Sequence, residues 1–225
     1  MPRQSKAIRQ ARALEVARRM DARYPTAECA LHFSDAFTLT IAVLLSAQTT
    51  DVAVNKVTPE LFGRWPDAPT MAQANPADIA EVIRSIGFYR VKSANCVKLA
   101  QMLIADFEGS IPHTMTELTR LPGVGRKTAN IVLNNAFGIV EGIAVDTHVF
   151  RIAHRLGFSP RSSNTPEKVE RDLLNTFPRE QWGPINHQWV LFGREVCIAR
   201  RPRCDECPLA DLCPSRSLLP QSVVL

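Results

Sequence analysis

Apolar residues recur along this chain at helical spacing, and this periodicity restricts the fold more than any other feature. One stripe begins at Asn75-Pro76 and ends at Gly87, the order expected for a helix with an asparagine cap, a proline in its first turn and a glycine stop. A second stripe covers residues 96–107. Strand-like alternation is nearly absent, and its one candidate, residues 139–145, is interrupted by a glutamate and a glycine. We therefore predict an all-α protein of roughly ten short helices.

Length and charge narrow the functional classes. The chain has 225 residues, which is enough for one large domain or two small lobes with a core. Its formal net charge of +5 suits a polyanionic partner, because lysine and arginine side chains that neutralise phosphates release bound counterions. No apolar run approaches the ~20 residues that span a bilayer, and the first residues lack the apolar stretch of a secretory signal. We expect a cytoplasmic protein with no membrane segment.

A helix, a glycine-containing turn and a second helix are predicted between Thr114 and Phe137. Thr114 and Glu117 have the spacing of a capping box, and apolar residues return at helical spacing after Lys127. The turn between them contains two glycines, which admit unusual backbone angles and let a ligand backbone come close. The start of the second helix suits a phosphate. A plain helix–helix turn is the alternative, but the complete string Leu121-Pro-Gly-Val-Gly-Arg-Lys-Thr-Ala129 favours phosphate binding.

Lys127 lies in the first turn of that second helix, on a face shared with Asn130 and Asn134. A helical lysine is usually a solvated surface residue. Here the positive end of the helix dipole and the neighbouring Arg126 favour the neutral amine, which can attack a carbonyl-like carbon and form a Schiff base.

Asp146 precedes another apolar stripe and is a natural N-cap for it. Capping alone accounts for this residue, although a capping carboxylate can also face a cleft and take part in chemistry. His148, two residues later, is by default a surface or interface histidine.

Four cysteines, Cys197, Cys204, Cys207 and Cys213, form the pattern C-x6-C-x2-C-x5-C near the end of the chain. Disulfides are improbable in a cytoplasmic protein, so the pattern indicates a metal site. Structural zinc usually joins two C-x2-C pairs across a longer loop, whereas this chain has one such pair in a compact run, which favours an iron–sulfur cluster. The spacing alone leaves zinc open.

Taken together, these motifs resemble those of the helix–hairpin–helix DNA glycosylases, and within them the endonuclease III group. The matching strings are Leu45-Ser-Ala-Gln-Thr-Thr-Asp51, Leu121 to Ala129, Val145-Asp-Thr-His148 and the complete cysteine spacing. The resemblance runs from near residue 10 to about residue 215.

The resemblance implies two helical lobes with a DNA-binding cleft between them. A six-helix domain with the hairpin would cover residues 29–140, and residues 1–28 with 141–225 would form the domain that holds a [4Fe–4S] cluster on the four cysteines. Residues 218–225 carry no pattern and are predicted to be a loose tail.

The implied activity is that of a bifunctional DNA glycosylase and AP lyase, which removes oxidised pyrimidines from duplex DNA and cleaves 3′ to the abasic site. Lys127 matches the nucleophilic lysine of the family and Asp146 its catalytic aspartate. Adenine glycosylases of the family usually lack this lysine, and the 8-oxoguanine relatives generally lack these cysteines. The expected partner is double-stranded DNA with damaged bases or abasic sites, bound by a monomer. Its predicted contacts are Gln48, Phe88, Leu121, Gly123, Val124, Gly125, Arg126 and His148.

Gln48 has two interpretations. It continues an apolar stripe that starts at Ile41 and goes on to Val52, so it could be a core glutamine satisfied by nearby backbone. Alternatively, it lies where its helix ends at DNA, and its amide enters the base stack, as the resemblance favours. Phe88 follows the helix-ending Gly87, so we expect an exposed aromatic ring that can wedge between bases from the other side.

Two rival functions explain part of the pattern. A non-catalytic DNA-binding protein would use the hairpin and the cluster only for docking, and an electron carrier would use the cysteines but not the hairpin. The combination of Lys127 and Asp146, each at a helix start, favours the enzyme.

Overall fold

The computed structural model describes residues 5–216, and all regular structure in that range is helical, which confirms the all-α prediction. The α-helices, in chain order, are α1 (Lys6–Arg23), α2 (Ala36–Leu45), α3 (Asp51–Arg64), α4 (Ala68–Ala72), α5 (Pro76–Val82), α6 (Tyr89–Asp106), α7 (Met115–Leu118), α8 (Arg126–Phe137), α9 (Thr147–Arg155), α10 (Pro166–Leu174) and α11 (Trp182–Glu195). The tail predicted at residues 218–225 lies outside the described residues. None of the described helices is both long and apolar enough to span a membrane.

The chain divides into two compact units, one formed by residues 29–141 and the other by the remainder. The first unit holds α2 to α8 and is centred on α2. Every residue of α2 from Phe37 to Leu45 is buried, as expected of a helix that is apolar all round, and α2 packs against α3, α6 and α8. Asp35 and Thr38 form a reciprocal capping box at its start.

The prediction that one apolar stripe runs from α2 through Gln48 to Val52 is wrong. Helix α2 ends at Leu45, and a turn separates it from α3. Thr50 caps α3 by accepting a hydrogen bond from the Ala53 N–H at 3.2 Å, so the chain starts a new helix in which Val52 is 67% exposed. A similar early stop occurs in α5, which ends at Val82 and is followed by turns before Gly87.

The described part of the second unit contains α1 and α9 to α11 around an aromatic core. The rings of Phe158 and Phe177 meet edge to face at 5.0 Å between centroids, and those of Phe177 and Trp189 at 5.9 Å. Basic residues of α1 bind the backbone of distant segments: Arg12 donates to the carbonyls of Leu156 and Leu212. These bonds explain how the first helix joins the C-terminal half of the chain.

Helix α11 approaches α9 closely at Gly193. An ideal Cβ at Gly193 would lie 2.8 Å from the His148 ring and 2.9 Å from the Arg151 guanidinium. Neither side chain is free to move away, because His148 pairs with Asp146 and Arg151 donates a hydrogen bond to the Gly193 carbonyl. The contact between these two helices therefore requires glycine.

We predict that Gly193→Ala lowers the free energy of unfolding by about 1–3 kcal/mol, because a methyl group is forced into a filled space. The control is Gly63→Ala in α3, where a Cβ meets nothing within 4 Å. That change is expected to raise stability by about 0.5–1 kcal/mol through helix propensity. Urea unfolding followed by circular dichroism measures both; equal effects of the two variants would contradict the close packing at Gly193.

Candidate functional site

The predicted hairpin is present as α7, a turn and α8. Gly123, in the turn, has a φ of 80°, a left-handed angle that favours glycine. Its position is also crowded, since a Cβ would lie 2.9 Å from the Leu44 side chain and 3.0 Å from the Asn95 amide. The turn is thus held directly against α2 and α6, and Gly123 is required on two independent grounds.

Gly125 has a different role from the one predicted. Its φ is −92°, which any residue adopts, and a Cβ there meets nothing within 4 Å. It is the N-cap of α8 and has no side chain to cap the helix with. The unusual backbone angle expected at both glycines therefore occurs only at Gly123, whereas Gly125 keeps the start of α8 uncovered by any capping side chain.

The hairpin residues divide into buried and exposed sets. Leu121 and Val124 are 2% and 5% exposed, so their side chains hold the turn in place, and their contacts with any ligand would come from the backbone. Gly123, Gly125 and Arg126 are exposed. The outer surface of the turn is therefore mostly main chain with one guanidinium beside it.

Lys127 lies in the first turn of α8 and is partly buried. Burial raises the pKa of the nearby Cys29 thiol; Asp51 raises it further and Lys127 lowers it. A carboxylate and a thiol thus share the surroundings of Lys127, which the sequence pattern did not indicate, because residues 29 and 51 are far from residue 127 along the chain. Asn130, predicted to share a face of α8 with Lys127, is buried.

Gln48 and Phe88 are both exposed, and both have a left-handed backbone conformation. Gln48 has a φ of 53° in the turn between α2 and α3, which rules out the core-glutamine interpretation. Phe88 has a φ of 57°, is the N-cap of α6 and is 64% exposed, as predicted for an aromatic ring in a loop. Left-handed backbone is uncommon for residues other than glycine and is concentrated at functional sites.

Asp146 is the N-cap of α9, as predicted. Its Oδ1 accepts hydrogen bonds from the backbone N–H groups of His148 and Val149, each at 2.8 Å, and its Oδ2 lies 3.1 Å from His148 Nδ1. The Asp146 side chain is still 18% exposed. The carboxylate is therefore fixed by its own helix and remains accessible.

Two buried polar side chains hold the segment that leads to Asp146. The Ile143 N–H donates to Glu170 Oε1 at 3.2 Å, and Asn186 Nδ2 donates to the Ala144 carbonyl at 2.7 Å. Glu170 and Asn186 are 4% and 7% exposed. They satisfy backbone groups that no helix or sheet serves, and they were missed because nothing in the sequence links residues 170 and 186 to this segment.

The four predicted metal-binding cysteines line one cavity, beside the end of α11 and the loop that follows it. Burial raises the pKa of the Cys207 thiol to about 11, and burial together with the charge of Cys197 raises the pKa of Cys204 and Cys213. Cys204, Cys207 and Cys213 thus resist ionisation without a cation. Four sulfur donors around one cavity fit an iron–sulfur cluster, because bound iron stabilises the thiolate form.

Arg155 fastens the cysteine loop. Its guanidinium donates to the Cys197 sulfur at 3.3 Å and to the carbonyls of Ile198 and Ala199 at 2.8 and 2.6 Å. The arginines of the loop, Arg200, Arg201 and Arg203, are exposed. Among residues 5–216, no three His, Cys, Asp or Glu side chains are arranged to bind a single metal ion.

Comparison with known proteins agrees with these two centres. The HhH-GPD superfamily of base excision DNA repair proteins matches residues 41–179, and the iron–sulfur binding domain of endonuclease III matches residues 197–213. The chain therefore has the two defining parts of a base excision DNA repair protein with an iron–sulfur centre.

Similarity to individual proteins identifies the family within this class. The chain is 44% identical to an endonuclease III of Synechocystis over 93% of this chain and 94% of the relative, and 42% identical to that of Escherichia coli over 92% and 96%. It also superimposes with a TM-score of 0.88 on an endonuclease III trapped as a covalent intermediate with DNA, an estranged-adenine complex; identity is 40%, and 96% of this chain and 99% of that one are covered.

The chain belongs to the endonuclease III family. It is accordingly a DNA glycosylase with AP lyase activity, and it carries a [4Fe–4S] cluster rather than the zinc that the spacing had left open. The predicted fold, enzyme class and cofactor are confirmed.

We predict that Cys204→Ser lowers the iron content well below about four atoms per chain and destabilises the protein, because one of the four proposed ligands is removed. Cys29→Ser is the control, since Cys29 lies in the other unit and should leave iron unchanged. Iron analysis and visible absorbance measure the result. Full iron loading of Cys204→Ser would contradict its assignment as a ligand.

Proposed function

We propose that the chain excises oxidised pyrimidines from duplex DNA and cleaves the strand 3′ to the abasic site through a Schiff base on Lys127. The observation that carries this proposal is an amine in the first turn of α8, directly behind a hairpin whose outer surface is backbone. A protein 40% identical over almost the whole chain was solved as a covalent intermediate with DNA, and such an intermediate needs a nucleophile.

The hairpin would bind the DNA backbone. Gly123 and Gly125 present exposed main chain, and the positive end of α8 favours an anion, so a phosphate can approach without meeting a side chain. Arg126 would add a charged contact there. Leu121 and Val124 would act by packing the turn in its bound shape.

The target nucleotide must leave the stack before its sugar can be reached. Lys127 Nζ then attacks C1′ while the glycosidic bond breaks and its electron pair leaves with the base, which takes up a proton. Loss of a proton from nitrogen and opening of the sugar ring give an imine. The imine acidifies the C2′–H, and loss of that proton expels the 3′ phosphate by β-elimination; water then releases the lysine.

Asp146 would stabilise positive charge on the sugar and accept the proton from the attacking amine. Its carboxylate is suited to this because two backbone N–H groups and the contact with the His148 ring fix its position while part of it stays exposed. His148 Nδ1 faces Asp146, so the other ring nitrogen is the one that His148 would offer to a DNA phosphate.

Gln48 and Phe88 would fill the gap left by the flipped nucleotide. Both side chains are exposed on turns of the same unit, which suits entry into a base stack. We infer a monomer, since one chain supplies both proposed catalytic residues, and a cytoplasmic location on the nucleoid, where a chromosomal repair enzyme finds its substrate.

Our prediction for Lys127→Ala is that it still binds abasic-site DNA but gives no borohydride-trapped adduct and no strand cleavage in EDTA, because the nucleophile is absent. Lys98→Ala, a change at an exposed lysine of α6, is the control and should trap normally. An undiminished adduct in Lys127→Ala would show that another residue forms the Schiff base.

For Asp146→Asn we expect base excision to fall about 10²- to 10⁴-fold, since the charge is lost. Stability should change by less than about 1 kcal/mol, because asparagine caps helices as well as aspartate does. Asp146→Ala should lose the cap as well and melt lower. Single-turnover excision and thermal unfolding separate the two roles; normal excision by Asp146→Asn would leave Asp146 as a cap only.

Gln48→Ala and Phe88→Ala are expected to slow excision of a paired lesion about tenfold while affecting abasic-site cleavage much less, because an abasic site is already partly unstacked. A fluorescent base analogue opposite the lesion reports the insertion directly. Equal losses on the two substrates would argue against insertion into the stack.

A further inference from the structure

Lys92 is a buried lysine that the chemistry above does not use. It lies in the first turn of α6 and is only 5% exposed. Its Nζ donates to the Leu45 carbonyl at 2.8 Å and to Thr49 Oγ1 at 2.9 Å. Within residues 5–216 no carboxylate lies within ion-pair distance of it, so both of its hydrogen-bond partners are neutral oxygens.

Burying an ammonium group without a counter-ion is unfavourable, and burial accordingly lowers the pKa of Lys92. Part of that penalty is offset because Leu45 is the last residue of α2, where the helix dipole favours a positive charge. An apolar side chain of similar length would fill the space without desolvating a charge. Packing alone therefore does not account for a lysine at this position.

The Lys92 side chain connects the start of α6 to the turn between α2 and α3. Its side chain binds both sides of the turn between α2 and α3, which carries Gln48. Its backbone N–H donates to the Phe88 carbonyl at 3.0 Å. The turns are also near each other, since an ideal Cβ at Gly87 would lie 3.8 Å from the Gln48 carbonyl oxygen.

Gln48 and Phe88 share an unusual backbone. Only three residues other than glycine have a positive φ in the described part of the chain, and these are two of them. Such conformations persist where the surroundings fix them firmly. The Lys92 side chain binds Leu45 and Thr49, on either side of the turn that carries Gln48. Lys92 itself lies in the first turn of α6, which directly follows Phe88 at the N-cap.

We propose that Lys92 is a positioning residue for duplex opening: it braces the turn that carries Gln48 against the start of α6, so that Gln48 and Phe88 are preorganised to enter the DNA as the target nucleotide leaves. This inference rests on the proposed function, in which these two side chains replace the flipped nucleotide. Preorganisation matters because ordering a loop during the reaction would otherwise oppose insertion.

The test compares Lys92→Met with Lys98→Met. Both remove one positive charge from α6, but Lys98 is exposed and lies ten residues beyond Phe88, so it controls for the loss of one positive charge near DNA. We expect Lys92→Met to slow excision of a fully paired lesion about tenfold, as loss of a charged hydrogen bond allows, and to leave abasic-site cleavage within about twofold. Lys98→Met should affect both substrates equally.

Hydrogen exchange separates a brace from a general stabilising role. In Lys92→Met, the amides of residues 46–50 should exchange faster, while those in the middle of α2 stay protected. If Lys92→Met does not fold, Thr49→Val and Thr49→Ser serve instead, since valine removes one acceptor of the ammonium and serine restores it. Thr49→Val should show the same selective loss in weaker form, and Thr49→Ser should recover it.

Equal losses on paired and abasic substrates, or unchanged exchange at residues 46–50, would overturn the role of Lys92. Failure of the proposed function gives a different result, because wild-type protein would then not form the trapped adduct on abasic DNA. The hydrogen-exchange experiment needs no DNA, so it tests whether Lys92 holds the turn at residues 46–50 whether or not the proposed function is correct.

Discussion

An α-helix leaves the first N–H groups of its backbone without partners inside the helix, and the two proposed catalytic residues both stand at such a start. The two starts are built in opposite ways. The N-cap of α8 is Gly125, which has no side chain to place over the helix end. The N-cap of α9 is Asp146, whose carboxylate accepts hydrogen bonds from two backbone N–H groups. The first arrangement suits a phosphate from outside. The second fixes a carboxylate belonging to the protein.

Close approach between helices makes these starts rigid. Gly123 lets the hairpin turn contact the Leu44 side chain of the buried helix α2, and Gly193 lets α11 contact the ring of His148, which pairs with Asp146. In both units the residue that permits the contact has no side chain, and the residue contacted is part of the core or of the site. The position of each proposed catalytic group is thus tied to the packing of a whole unit.

Local signals in the sequence were sufficient for most helix starts. Asn75, Thr114 and Asp146 cap helices in the structure as their spacing predicted, because a cap depends on residues two or three positions away. The spacing of the four cysteines likewise identified the residues that line the cluster cavity. Caps and metal-binding patterns that depend on a short segment can therefore be predicted from a single sequence.

Features that depend on distant contacts were not predictable. Gln48 was placed on a continuing apolar stripe, but Thr50 restarts the helix and Lys92, more than 40 residues away, holds the turn. Periodicity cannot report a left-handed residue, nor a lysine whose partner lies on another helix. The supports of Asp146, provided by Glu170 and Asn186, were missed for the same reason.

These missed residues share one physical role. Irregular backbone that is buried cannot satisfy its own N–H and C=O groups, so it needs polar side chains from elsewhere in the fold. Lys92 does this for the end of α2, and Glu170 and Asn186 do it for the segment before Asp146. An apolar residue at such a position would avoid desolvation of the side chain but leave a buried backbone group without its partner. These three buried polar side chains therefore support the irregular segments next to Gln48 and Asp146, two of the proposed functional residues.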